Sequence, residues 1–245
     1  MPSSFDVCCS LKPVESDYQP IGAMEQLGDL PLYVVGPKDA KKAILVIYDI
    51  MGLHNNTKQF CDVLAGQGYK VVMPDFFRGK PWDIKNIGDR KAVVAWLSRV
   101  GTIDKVAPEI AGVREWLKGQ GVTSAGIVGF CWGGKIGVQI AGIDRFFGGF
   151  TMIHPVNIDP KDAEKAQAPI LALPSRDEPD MTAFMEVLKK KPFAAQCKHH
   201  RFDDMHHGFA AARGNWSDEL NRKRATEAIQ LTVDFFNQVL NKSNL

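Results

Sequence analysis

The chain has 245 residues, 45% of them hydrophobic and 24% charged, a length and composition that suit a single globular domain with a sizeable core. Thirty Lys and Arg against 28 Asp and Glu give a formal net charge of +2, and no basic stripe interleaved with aromatics is visible, so nucleic acid is not expected as a partner. No apolar run approaches the ~20 residues of a membrane helix, Met1 to Ser10 lacks a basic-then-apolar leader, and the five cysteines form neither a metal-ligand spacing nor an even-numbered disulfide framework. These features predict a cytoplasmic protein with no membrane partner and no metal; a monomer or weak homodimer is expected.

In chain order, residues 1–30 show no clear period and are expected to be irregular, with the domain running over 31–245. Leu32 to Val35, closed by Gly36-Pro37, predicts an antiparallel edge strand. Strand-length apolar runs follow at 43–49, 70–73, 124–130, 146–152 and 169–174, and more weakly at 197–203, with helix-like patterns between most of them. That alternation predicts an α/β fold with a mostly parallel central sheet flanked by helices. Residues 86–118 read as two helical pieces, with Pro108 in a first-turn position of the second. The last helix shows Ala225, Ile229, Val233, Phe236 and Leu240 as a stripe, Ser217 and the acids after it as its cap, and a frayed tail over 241–245.

Gly129-Phe130-Cys131-Trp132-Gly133-Gly134 has the form of a nucleophile elbow with cysteine in the nucleophile position. A buried strand runs into it and a small-residue helix leaves it. Such a turn raises the Cys131 side chain above the sheet, and glycines at its flanks leave room for the tight backbone. The helix N-terminus that begins at Trp132 favours the thiolate, the attacking species.

An elbow predicts an acid and then a base, each in a loop beyond a later strand. Ser175-Arg176-Asp177-Glu178-Pro179 follows the run ending at Pro174, and Asp177 is the expected acid, with Glu178 and Asp180 as competitors and Asp180 more readily a helix cap. His207, in His206-His207-Gly208-Phe209, is the expected base; His154 comes too early in the chain and is expected to line the pocket. The oxyanion donors are expected to be the backbone N–H of Trp132 and that of Ile50, in the loop that Gly52 lets bend. Asp49 reads either as a carboxylate that holds the Cys131 thiol neutral or as a loop cap. Phe77, Trp82 and Trp132 can form an apolar wall.

Taken together, Tyr48-Asp49-Ile50-Met51-Gly52, Met73-Pro74-Asp75-Phe76-Phe77, the elbow, Asp177 and His207-Gly208-Phe209 resemble the dienelactone hydrolase family, in particular its eukaryotic carboxymethylenebutenolidase-like members. The resemblance implies an α/β-hydrolase fold without a large cap, no cofactor, a Cys131-His207-Asp177 triad and hydrolysis of small lactones or activated esters through a thioester acyl-enzyme. It carries the oxyanion roles onto Ile50 and Trp132. Bacterial members have glutamate where Asp49 stands, and those that act on dienelactone bind its carboxylate with arginines, for which Arg78, Arg90 and Arg213 are the candidates, Arg213 foremost. A thioesterase or acyltransferase with the same triad, and a catalytically silent binding protein on the same fold, are the alternative readings.

Overall fold

The computed structural model describes residues 11–241 and places eight strands in one sheet, in the order β1-β2-β4-β3-β5-β6-β7-β8. The strands are β1 Ala23–Leu27, β2 Leu30–Val35, β3 Lys42–Ile47, β4 Lys70–Pro74, β5 Ser124–Phe130, β6 Phe147–Ile153, β7 Ile170–Leu173 and β8 Lys198–His199. The pairings β1–β2 and β2–β4 are antiparallel and all others are parallel. The helices are α1 Asn55–Ala65, α2 Arg90–Val100, α3 Ile103–Gly119, α4 Trp132–Ile140, α5 Pro160–Lys165, α6 Thr182–Leu188 and α7 Glu219–Val239.

The strands β3 to β7 read as continuous apolar runs because both faces of the sheet are covered. Neighbouring residues of β6 show this directly: Gly149 lies against Val239 and Phe235 of α7, while Phe150 points the other way and packs on Gly137 of α4. Helices α1 and α7 contact each other on one face, and α3, α4, α5 and α6 form a contiguous layer on the other. Each parallel strand therefore delivers its carboxyl end to the same edge of the sheet, where ligands bind in folds of this kind.

Three expectations change and one narrows. The stretch before residue 31 carries β1, so β2 is the second strand and β1 holds the edge. Strand β1 escapes the sequence pattern because its edge position leaves it largely exposed, without an apolar alternation. Pro108 lies inside α3, on its exposed face, and the break between α2 and α3 falls at Gly101-Thr102 instead. Of Ser217 and the acids after it, Asp218 is the one that caps the last helix, its carboxylate accepting from the Asn221 N–H. The eighth strand is only two residues long, extended by a single bridge between Ser175 and Phe202. Cys8, Cys9 and the tail over 242–245 lie outside the described residues.

Residues 11–22 are irregular but held. The Val14 N–H donates to the Ala212 carbonyl at 3.0 Å, and Asp62 on α1 accepts from the Tyr18 hydroxyl at 2.8 Å and the Ile21 N–H at 3.0 Å.

Candidate functional site

Strand β5 ends at Phe130 and α4 begins at Trp132, leaving Cys131 alone to turn the chain with φ 52° and ψ −114°. A non-glycine residue held there costs on the order of 1–3 kcal/mol, so the surroundings must impose it. They do so through backbone contact: a Cβ on Gly133 would stand 2.1 Å from the Ile47 carbonyl oxygen, and one on Gly129 would stand 2.2 Å from the Gly133 carbonyl oxygen. The elbow is braced to the next strand as well, since the Cys131 N–H donates to the Ile153 carbonyl and the Val156 N–H to the Cys131 carbonyl, each at 3.2 Å. The sulfur is thereby fixed above the carboxyl edge of the sheet by glycine spacing readable in the sequence.

His207 arrives from the loop after β8. Its ring Nδ1 stands 2.6 Å from Glu178 Oε1, and both side chains are buried. The second Glu178 oxygen accepts the Ser175 N–H, which folds the side chain inward over its own turn. Asp177, the expected acid, does not meet the ring: its Oδ2 accepts the His207 backbone N–H at 2.7 Å, and its Oδ1 lies 3.7 Å from Arg176. The reason is reach and direction. Successive residues of the Ser175–Glu178 turn point to different sides, and the longer glutamate side chain spans the distance to the imidazole. Sequence reasoning weighed Glu178 only as a competitor, and missed Arg201 entirely. The Arg201 guanidinium donates to the carbonyls of Ser175, Glu178 and Pro179 at 2.5, 2.9 and 2.7 Å and so holds the acid-bearing turn from outside. His206 is half-buried, with its ring Nδ1 2.9 Å from the His207 carbonyl oxygen.

His154, expected to line the pocket, lies instead in the floor behind the base. Its backbone takes φ 40°, its ring is fully buried, and it meets His207 edge-to-face at 5.0 Å, Phe130 at 5.5 Å and Phe209 at 5.8 Å. Neither ring nitrogen has a hydrogen-bond partner among the described residues. Burial pushes its pKa well below the ordinary histidine value, and the neighbouring His207 and Arg213 act in the same direction, so the ring is neutral.

On the other side of the elbow, Asp49 is buried and bridges two loops: Oδ1 accepts the Met51 N–H at 2.8 Å and Oδ2 the Ala212 N–H at 3.4 Å. Those bonds are the loop-capping arrangement. The Ile50 carbonyl accepts the Trp82 N–H at 2.9 Å, while the Ile50 N–H donates to no group among the described residues. Beside it stands a row of aromatic rings in which Phe77 packs on Trp132 at 4.9 Å and on Tyr48 at 5.0 Å.

The arginines are not gathered here. Arg213 is 1% exposed, and its Nε donates to the Leu11 carbonyl at 2.7 Å, with its aliphatic stem under Gly208. Arg78 forms ion pairs with Glu109 at 2.7 Å and Asp29 at 3.2 Å, and Arg90 is exposed at the start of α2. Arg213 is thus the reverse of its expected role: a buried structural cation that pins residue 11 to the histidine loop. Among the described residues no group of three or more His, Cys, Asp and Glu forms a metal-binding cluster, and no helix is long and apolar enough to cross a membrane.

Residues 30–240 match the model of the Dienelactone hydrolase family. An uncharacterized AIM2 family protein of Schizosaccharomyces pombe is 34% identical over 228 residues, covering 89% of this chain and 90% of the relative. The carboxymethylenebutenolidase homolog of Rattus norvegicus is 40% identical over 124 residues, a match spanning 49% of each chain. In fold, the chain is similar to the crystal structure of dienelactone hydrolase from Anabaena variabilis, with a TM-score of 0.64 at 14% identity over 90% of this chain and 98% of that one.

Proposed function

Because the chain belongs to the dienelactone hydrolase family of hydrolases, we propose that it hydrolyses a small carboxylic ester or lactone by covalent catalysis at Cys131, with His207 as base and Glu178, in place of Asp177, as the acid that orients it. The observation that carries this reading is the buried His207–Glu178 pair. A carboxylate withdrawn from water and set against an imidazole nitrogen is costly unless the pair has work to do, and its work here is to fix the Nδ1–H tautomer so that Nε2 is left to take a proton.

The steps follow from that assignment. Cys131 Sγ gives its proton to His207 Nε2 and attacks the ester carbonyl carbon. The carbonyl oxygen takes up the electron pair and is held by the N–H groups of Ile50 and Trp132, the latter at the positive end of α4. Collapse expels the alkoxide or ring oxygen, which receives the proton from His207 and leaves a thioester on Cys131. Water, deprotonated by His207, then attacks the thioester, releases the acid and restores the thiol. Glu178 balances the charge of the imidazolium formed in each half. Asp177 holds the His207 backbone, and Asp49 shapes the oxyanion loop from beneath.

The test is turnover of lactones, aryl esters and thioesters beside a Cys131→Ala control, with the reaction quenched early and the intact protein weighed. Esters or lactones should be cleaved with a covalent adduct of one acyl group on Cys131. Turnover that survives Cys131→Ala, or a preference for acyl thioesters over oxygen esters, would reject the reading.

A further inference from the structure

We propose that this site selects neutral substrates that carry a flat apolar group bearing a hydrogen-bond acceptor, and that the indole of Trp82 is the residue that selects them. The inference rests on the reading of Cys131 as an ester-cleaving nucleophile and concerns what the rest of the substrate touches.

Trp82 lies in Gly79-Lys80-Pro81-Trp82-Asp83, between β4 and a single 3₁₀ turn at Ile84–Asn86. Its backbone N–H donates to the Ile50 carbonyl at 2.9 Å, and Pro81 packs over Gly52, so this segment is seated directly on the loop that offers the oxyanion donor. The aromatic row continues from the elbow to this point: Trp132 on Phe77 at 4.9 Å, Phe77 on Trp96 at 4.7 Å, Trp96 on Trp82 at 5.5 Å. Such a row makes an apolar wall suited to a planar apolar group.

Two further observations define the chemistry. The Trp132 indole N–H is satisfied, donating to the Gly101 carbonyl at 2.9 Å, whereas the Trp82 indole Nε1 is buried with no acceptor among the described residues. Buried donors are nearly always paired, and this one, on a segment whose backbone is bonded to the oxyanion loop, is left open to a ligand acceptor. Charge points the same way. Arg78 is ion-paired with Asp29 and Glu109, while the buried Asp49 carboxylate sits one residue from Ile50 and repels a second anion beside the oxyanion loop. A neutral acceptor such as a ring-borne carbonyl or amide satisfies the indole; a carboxylate there brings a second negative charge toward Asp49.

The experiment compares phenyl acetates with a para carboxamide, methyl or carboxylate group, each rate normalised to the ester's own alkaline hydrolysis. In the wild type, kcat/KM should fall from carboxamide to methyl by roughly tenfold and to carboxylate by roughly 100-fold or more. Trp82→Phe, which keeps a ring and removes the donor, should bring the carboxamide-to-methyl ratio close to one. In parallel, benzamide and benzoate are titrated calorimetrically into the Cys131→Ala protein, where benzamide should bind at least tenfold more tightly. A carboxylate ester turned over as well as the carboxamide, benzoate binding as tightly as benzamide, or a carboxamide preference that survives Trp82→Phe would each overturn the proposal. Absence of any Cys131-dependent ester cleavage would instead reject the nucleophile reading, and the binding comparison would still decide the selectivity.

Discussion

Glu178→Gln separates the two neighbouring carboxylates more sharply than any other substitution. The Oε1 atom lies 2.6 Å from His207 Nδ1, and both groups are shielded from water. Taking the charges of the carboxylate and the developing imidazolium as roughly 4 Å apart and an effective dielectric constant of about 20, their attraction is about 4 kcal/mol, or about a thousandfold in rate. The amide also turns an N–H₂ toward the ring and favours the wrong tautomer, a change that by itself lowers kcat by up to about 10⁴ in triad hydrolases. Glu178→Gln should therefore reduce acylation by roughly 10³- to 10⁴-fold while keeping the acceptor for the Ser175 N–H. Asp177→Asn removes a charge whose side chain is 25% exposed and keeps an acceptor for the His207 N–H, so its effect should stay below about fivefold. Single-turnover acylation of each variant by an aryl ester, with melting temperatures to show that both are folded, measures the two effects. Asp177→Asn matching or exceeding the loss in Glu178→Gln would refute the reasoning and return the triad acid to Asp177.

Iodoacetamide should label Cys131 in step with loss of activity, while Cys61 stays unmodified in the folded protein; desolvation, and then the adjacent Asp62, push its thiol well above the usual range, and mapping by mass spectrometry decides between them. His154 carries a pH prediction. Its folded pKa is depressed, so below about pH 6.5 the unfolded chain binds more protons than the native one and stability falls with falling pH, by up to about 1.4 kcal/mol per unit. In a domain of this size that is roughly 3–5 °C per pH unit, and a His154→Phe protein should lose Tm less steeply than the wild type between about pH 6.5 and 4.5; parallel slopes would show that His154 does not titrate on unfolding. Gly133→Ala should cost about 3 kcal/mol or more in urea denaturation, since its new methyl meets the Ile47 carbonyl oxygen at 2.1 Å and the strand end cannot retreat; a change under about 1 kcal/mol would mean that the elbow is looser than its geometry.

Much of this protein was legible in one dimension because the governing constraints are local. The parallel strands are buried on both faces and so appear as unbroken apolar runs, and the elbow announces itself because only glycine lets Gly129 and Gly133 approach backbone carbonyls so closely. The placing of Cys131, of an acidic turn after β7 and of His207 beyond β8 follows from chain order and from the fact that parallel strands all end at one edge.

What depended on side-chain direction was decided only in three dimensions. Asp177 and Glu178 are adjacent carboxylates equally well placed in the chain, and the choice between them is made by which way a turn braced by Arg201 faces the ring. Arg213 looks like a surface cation six residues past His207, yet the fold closes Gly208 and the segment around Leu11 over it. Strand β1 exists because β2 offers it an edge, although its own sequence carries no alternation. Sequence fixes which backbone can pass through a point in space; the direction of a charged side chain is set by partners that lie, as Leu11 and Arg213 do, some two hundred residues apart in the chain.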